Sequence, residues 1–298
     1  MKIFNFGSLN MDKVYRVKEF VRSGQTVSAL DLYTYPGGKG LNQSVAVARA
    51  GGQVYHVGCV GEDGEFLKQF LLSNHVHCDF VKDVEGFSGH AVIQVDQKGQ
   101  NCIIVYPGAN HKLEREYIDQ VFEVIQKDDI ILLQNEINLV DYVMAKGRER
   151  GARIVLNPSP VTDELQSFPL ELVSTFILNE IEAMYISGEA EIEDMLKALE
   201  VKYPESEIVL TLGEKGSVYR FKGNEQRFGI FKTDSTDTTG AGDTYCGYFL
   251  ACSALGMTPF DACVYASAAA AIAVSKKGAA SSIPNMDNVK TFLKIKEK

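Results

Sequence analysis

No apolar run in this chain of 298 residues reaches the roughly 18 needed for a membrane-spanning helix, so no partner is expected in the bilayer. The opening segment MKIFNFGSLNMD also lacks the charged-then-apolar layout of a secretory signal, which makes the cytoplasm the expected location. Positive charge is in short supply. Thirty Lys and Arg stand against 39 Asp and Glu, giving a net charge of −9, and a nucleic-acid surface needs a basic patch that this balance does not suggest. The six cysteines (Cys59, Cys78, Cys102, Cys246, Cys252, Cys263) contain no CxxC pair. Neither a zinc knuckle nor a disulfide framework is therefore indicated, and the thiols read as small core hydrophobes. His75 and His77 lie beside Cys78 and Asp79, where a metal could bind. A polar turn between a helix and a strand is the simpler reading, since a tight site needs further ligands that the sequence does not identify. Linkers, low-complexity stretches and repeats are missing too. These absences leave a small molecule as the expected partner.

What is present is enough hydrophobic content, 45%, to bury a large core. Apolar runs at 2–6, 53–58, 129–134, 153–156, 175–178 and 208–212 alternate with amphipathic segments. Helices are expected at 40–50, 64–73, 139–150, 191–202 and 241–255, with an alanine-rich one at 259–275. Such alternation predicts an α/β domain with a mainly parallel sheet and helices on both faces. Segments 25–35, 87–96 and 100–106 are rich in β-branched and aromatic residues and are separated by turns, which predicts antiparallel hairpins forming a small separate sheet. The alanine-rich helix lets its backbone lie close either to a neighbouring helix or to a flat ligand.

Two glycine-rich turns carry the chemistry. In Asp237-Thr238-Thr239-Gly240-Ala241-Gly242-Asp243, small residues leave backbone N–H groups open at a helix start, where they and the helix dipole attract an anion. Asp243 is then either an ordinary first-turn acid or a base placed beside a gripped phosphate. Pro36-Gly37-Gly38-Lys39-Gly40-Leu41-Asn42-Gln43 is neither GxxxxGK[ST] nor GxGxxG, so the P-loop and dinucleotide readings fail. Its glycines, lysine and asparagine suit a polyhydroxyl ligand that needs paired donors and acceptors. Asn179, Glu182 and the turn from Thr211 to Gly216 follow apolar runs, at the strand ends where open α/β sheets bind ligands.

In this order, the motifs PGGKGLNQ and DTTGAGDTYCG resemble the signatures of the ribokinase-like, or PfkB, family of sugar and nucleoside kinases. Gly7 to Asp12, Gly108-Ala109-Asn110, Gln134-Asn135-Glu136, Leu156-Asn157-Pro158 and Lys277-Gly278-Ala279 strengthen the likeness. The resemblance implies a Rossmann-type three-layer fold over residues 1–298, with a β-sheet lid drawn from about 11–36 and 87–107 that pairs two subunits. It implies transfer of phosphate from ATP to the primary hydroxyl of a small sugar, foremost D-ribose, with deoxyribose, another sugar or a nucleoside as alternatives. Sugar binding would fall to Asn10, Asp12, Gly38, Lys39, Asn42, Glu136 and Asp243. ATP would meet Asn179, Glu182, Thr211, Gly213, Gly216, Gly242 and Ser267, with Glu182 near magnesium. Gly240, Ala241 and Gly242 would form the anion hole, and Asp243 would take the proton. A potassium ion would lie among Asp237, Thr239, Ala273, Lys276, Gly278 and Ser282. Gln25, Leu41, Ser44, His90 and Gln100 depart from the family's usual residues, which leaves the identity of the sugar open. A sugar-phosphate kinase would need more converging cations than Lys39 alone. A catalytically silent sensor is disfavoured by the intact anion turn and Asp243.

Overall fold

A computed structural model describes residues 1–296. Thirteen strands are described: β1 (Ile3–Phe6), β2 (Asn10–Arg16), β3 (Asp31–Gly37), β4 (Val54–Val60), β5 (His77–Asp83), β6 (Gly89–Val95), β7 (Asn101–Tyr106), β8 (Ile130–Gln134), β9 (Arg153–Asn157), β10 (Thr175–Asn179), β11 (Glu207–Thr211), β12 (Ser217–Phe221) and β13 (Asn224–Phe228). The helices are α1 (Lys39–Arg49), α2 (Glu65–Ser73), α3 (Arg115–Phe122), α4 (Val140–Arg150), α5 (Glu180–Ser187), α6 (Ile192–Lys202), α7 (Ala241–Ala254), α8 (Pro259–Val274) and α9 (Met286–Lys296).

The large sheet has the order β13-β12-β11-β10-β9-β8-β1-β4-β5, parallel from β11 through β5, with β12 and β13 antiparallel at one edge. Its central strands are largely apolar because both faces are covered, with Asn5, His56 and Gln134 as buried polar exceptions. In β8, Ile130 and Leu132 face the layer of α1, α7 and α8, whereas Ile131 and Leu133 face the layer of α3, α4 and α6. Period-two side-chain alternation thus feeds two cores from one strand.

The smaller sheet, ordered β3-β2-β6-β7, differs from expectation. Its β2–β3 and β6–β7 pairs are antiparallel, but β2 and β6 run parallel. Alternating apolar residues mark a strand without naming its neighbour. Within the segment 25–35 a strand begins only at Asp31, and Gln25 N–H closes a turn on Arg22 C=O ahead of it. The polar cluster after β1 ends one strand and starts β2 within three residues, Gly7 to Leu9. The thiols divide as well: Cys59, Cys246, Cys252 and Cys263 are buried, Cys78 is half-buried and Cys102 is exposed on β7. His75 occupies the turn expected after α2, while His77 opens β5 and stacks on Tyr55.

The contact of α1 with α7 is what brings the two glycine-rich turns together. Gly247 makes it possible: a Cβ there would stand 2.4 Å from Ala46 Cβ and 2.8 Å from Gln43 C=O. Gly247→Ala is expected to push α1 off α7, costing about 1–3 kcal/mol as overpacking does. Gly229→Ala, where a Cβ meets nothing within 4 Å, is the control. Urea denaturation measures both, and equal midpoints would refute this account of the contact.

Candidate active site

The first half of the site is built by close backbone approach. A Cβ on Gly40 would come within 2.3 Å of Ser8 N, so α1 starts directly against the segment leaving β1. Gly38 precedes the helix at φ +93°, a left-handed conformation that glycine tolerates best, and no side chain of its own turn caps α1. The cap comes from elsewhere. Glu136, just past β8, accepts Lys39 N–H at 3.0 Å and the Ser8 hydroxyl, so one carboxylate joins three segments and complements the positive helix end. Asn10 and Asp12 are two residues apart on β2 and share one face of the small sheet. Asn10 Oδ1 accepts from Asn110 Nδ2 at 2.7 Å, and a Cβ on Gly89 would fall 2.2 Å from that oxygen. Asp12 lies over Gly37, where any Cβ would meet its carboxylate at 2.1 Å.

The second half is the start of α7. Gly240 sits at φ +75° and no side chain caps the helix, which leaves first-turn N–H groups free for an anion. Asp243 is in that first turn and only 7% exposed. Its two carboxylate oxygens are claimed by α1: Asn42 Nδ2 donates to Oδ2 and Gln43 Nε2 to Oδ1, each at 2.9 Å. The remaining Oδ1 of Asn42 is buried without a partner, an acceptor ready for a ligand hydroxyl.

Charge is concentrated here. Burial raises the Glu136 and Glu182 carboxyls above the usual carboxylate range, although hydrogen bonds and Lys39 oppose it. Burial lowers the Lys39 ammonium, but the fields of Asp243, Glu136 and Glu182 outweigh it and leave the group raised. Asp12 is pushed up to about 6, first by burial and then by the charge of Glu136.

Beside this cluster is a cavity of about 470 Å³ lined by Thr211, Gly213, Gly216, Gly242 and Ser267, five of the residues expected to meet ATP. Ala270, Ala271 and Val274 of α8 line it too, while the same helix packs against α7. The alanine-rich segment therefore packs closely on a neighbouring helix and also borders the cavity. Asn179 and Glu182 do not line the cavity; they form a capping box on α5, in which Glu182 N–H donates to Asn179 Oδ1 at 2.9 Å. Asp237 Oδ1 accepts from Thr239 N–H and Oδ2 from Gly278 N–H, both at 3.0 Å, so the segment before α7 is pinned to the segment after α8. Ala273 C=O already accepts Lys276 N–H, and the Ser282 hydroxyl turns back onto Ala279 C=O.

Several site residues carried no role in the sequence reading. Gln43, Asn110 and Asn157 stood inside quoted motifs, but an amide reveals its partner only once the fold is known. The cavity residues Ile230, Phe231 and Thr233 had no local signal at all.

A buried carboxylate at an uncapped helix start, between a polar cluster and a cavity on an α/β sheet, defines a phosphotransferase-type site. The chain belongs to the pfkB carbohydrate kinase family, whose model matches residues 1–286. It is similar to a ribokinase of Haemophilus influenzae, 34% identical over 300 residues and covering 96% of each chain. Among solved structures, ribokinase from Thermotoga maritima superposes with a TM-score of 0.88 at 32% identity, over 99% of both chains. Arabidopsis thaliana ribokinase complexed with ribose and ATP gives 0.86 at 29%, over 98% of both.

The Asp12 shift has a readable consequence. A carboxyl held near 6 keeps a proton that the unfolded chain, near 3.8, has released; its contribution to stability is thus present at low pH and lost as pH rises from 3.8 to about 6. Asp12→Asn should melt higher than the parent at pH 7.5, with the gain vanishing near pH 4. Thermal denaturation at the two pH values checks this, and a lower melting temperature for the variant at pH 7.5 would contradict it.

Proposed function

We propose that the protein transfers the terminal phosphoryl group of ATP to the primary hydroxyl of D-ribose, giving D-ribose 5-phosphate. The observation that carries this is the Asp243 carboxylate, buried and held by Asn42 and Gln43 between a cluster of hydroxyl-binding groups and a nucleotide-sized cavity. Asn10, Asp12, Gly38, Lys39, Asn42 and Glu136 orient the sugar, and Asp243 accepts the proton of its primary hydroxyl. The N–H groups of Gly240 and Gly242 grip the transferring phosphate, while the Ala241 N–H is bound to Thr238 C=O at 3.2 Å and holds the turn's shape. Positioning and electrostatics suffice for such a transfer, which needs little early proton movement.

ATP fits the cavity by size, and Gly213, Gly216 and Gly242 leave part of its wall without side chains. Magnesium arrives with the phosphates, near Glu182; among the described residues no cluster of three or more acidic, His or Cys side chains forms a protein-only cage, which is usual for this ion. Potassium suits the backbone oxygens around Asp237, Thr239, Ala273, Lys276, Gly278 and Ser282, since Asp237 supplies negative charge and its hydrogen bonds keep it below the usual range against the opposing effect of burial. When bound, this cation would add positive charge behind the anion turn.

The whole chain works as one domain in which the small sheet, about 11–36 and 87–107, is the lid that excludes water. Every residue of β7 is exposed, and Ile104 and Val105 remain 64% and 60% exposed. Ile104 and Tyr106 point to the same face of the small sheet as Leu32 across the strand register, and this apolar face is the one that a second copy of the chain covers. Reliance on ATP puts the reaction in the cytoplasm.

An ADP-release assay over ribose, deoxyribose, other pentoses and nucleosides should show strongest stimulation by ribose; stimulation by a nucleoside alone would replace the substrate and keep the chemistry. Asp243→Asn should lower kcat by about 10²–10⁴-fold, the range for a lost general base, and unchanged turnover would remove Asp243 from that role. Ile104→Asp should convert dimers to monomers in sedimentation, and an unaltered sedimentation coefficient would refute pairing through this face.

A further inference from the structure

Behind Asp243 runs a chain of buried amides whose direction is set at its far ends. Gln43 Nε2 donates to Asp243 Oδ1 and to Asn157 Oδ1, both at 2.9 Å, and Gln43 Oε1 accepts from Gln134 Nε2 at 2.7 Å. Gln134 Nε2 also donates to Asn5 Oδ1 at 2.9 Å. Asn5 Nδ2 in turn donates to Gly40 C=O and to Ser44 Oγ, both at 2.8 Å. Ser44 Oγ lies 2.9 Å from His56 Nδ1, and His56 Nε2 lies 3.1 Å from Gly7 C=O. Gln43, Gln134, Asn5, Ser44 and His56 are each fully buried at 0% exposure.

A carbonyl only accepts, so the backbone oxygens dictate every orientation. Gly7 C=O requires the proton on His56 Nε2. Burial holds the imidazole down to about 4, so it is neutral and its Nδ1 must accept from the Ser44 hydroxyl. Gly40 C=O independently requires Asn5 to present Nδ2 there, which turns Asn5 Oδ1 toward Gln134. Gln134 must then spend its Nε2 on both Asn5 and Gln43, and its own Oε1 is left buried without a partner. That orphaned oxygen is the cost of the direction, since flipping the amide would set it against two acceptors. On the other side, Asn157 Nδ2 donates to Ile177 C=O at 2.9 Å, which fixes Asn157 Oδ1 toward Gln43.

We propose that Gln43 is a positioning residue for phosphoryl transfer, whose amide is held donor-first toward Asp243 by the direction of the hydrogen-bond chain through Gln134 and Asn5. Gln43 touches no substrate in this account and acts through Asp243. It stops the carboxylate from rotating and leaves it one approach for a sugar hydroxyl. The inference rests on the reading of Asp243 as the base.

Two variants test it by steady-state kinetics with the sugar and ATP varied in turn, with circular dichroism and melting temperature measured alongside. Gln43→Met keeps the bulk and removes the donor; kcat should fall by about 10–100-fold, the scale of a misplaced catalytic group, while both KM values stay within about twofold. Gln134→Glu preserves shape but offers acceptors where Gln43 and Asn5 need a donor. It reverses the Gln43 amide from a residue that does not touch Asp243, and it should lower kcat in the same way. This second variant also keeps the test open if Gln43→Met unfolds. A folded Gln134→Glu with parental kcat, or KM values rising in step with any loss in kcat, would overturn the proposal. If Asp243→Asn abolishes turnover while both variants stay fully active, only this inference fails; if Asp243→Asn stays active, the reading beneath it fails.

Discussion

The site depends on the grip of α1 on the Asp243 carboxylate. Two adjacent amides, Asn42 and Gln43, reach from the start of one helix to the first turn of another, about 200 positions away. Everything around them serves that meeting. Gly247 lets α1 and α7 touch, Gly40 lets α1 start against β1, and Glu136 caps the helix start that the turn's own glycines leave bare. The helices converge because they share one face of the parallel sheet, and the strand order sets their spacing.

The electrostatic consequence is an accumulation of acid. Glu136, Glu182 and Asp243 act on the ammonium of Lys39, Glu136 also acts on Asp12, and burial raises Asp12, Glu136 and Glu182 above the usual carboxylate range. A polyol satisfies this arrangement well, because its hydroxyls donate to carboxylates without adding charge. A nucleotide does not, and here the open helix start and accompanying cations matter: the transferred group meets backbone N–H donors on one side and acids on the other. The proposed site is therefore divided by chemistry as well as by position, with sugar hydroxyls assigned to the acids and phosphate to the start of α7.

How much of this was legible in the sequence follows from range. Asp243, Gly240 and Gly242 could be read because a helix start with bare amides is a local pattern, and Asn42 and Lys39 because they stand within their own glycine turn. The alternating runs gave the parallel sheet for a similar reason, since both cores leave an apolar imprint on one strand. Gln43 is the opposite case. It stands in the same glycine turn as Asn42, but its partners Asp243, Gln134 and Asn157 are distant in sequence, so nothing local assigns it a role. The parallel pairing of β2 with β6 was hidden likewise, as was the role of Asn110, which shows only when β2 and the segment after β7 meet. The cavity wall at Ile230 and Phe231 comes from an irregular segment that has no periodicity to read.

The central claim is that Asp243 faces the primary hydroxyl of the sugar with its carboxylate already oriented by α1. A crystal structure with ribose and a non-hydrolysable ATP analogue measures this directly. The account predicts the sugar's primary oxygen about 2.6–3.2 Å from an Asp243 oxygen, the reach of a general base, with Asn42 and Gln43 still bound to the carboxylate. A sugar seated with that hydroxyl turned away, or a carboxylate released from both amides on binding, would contradict it.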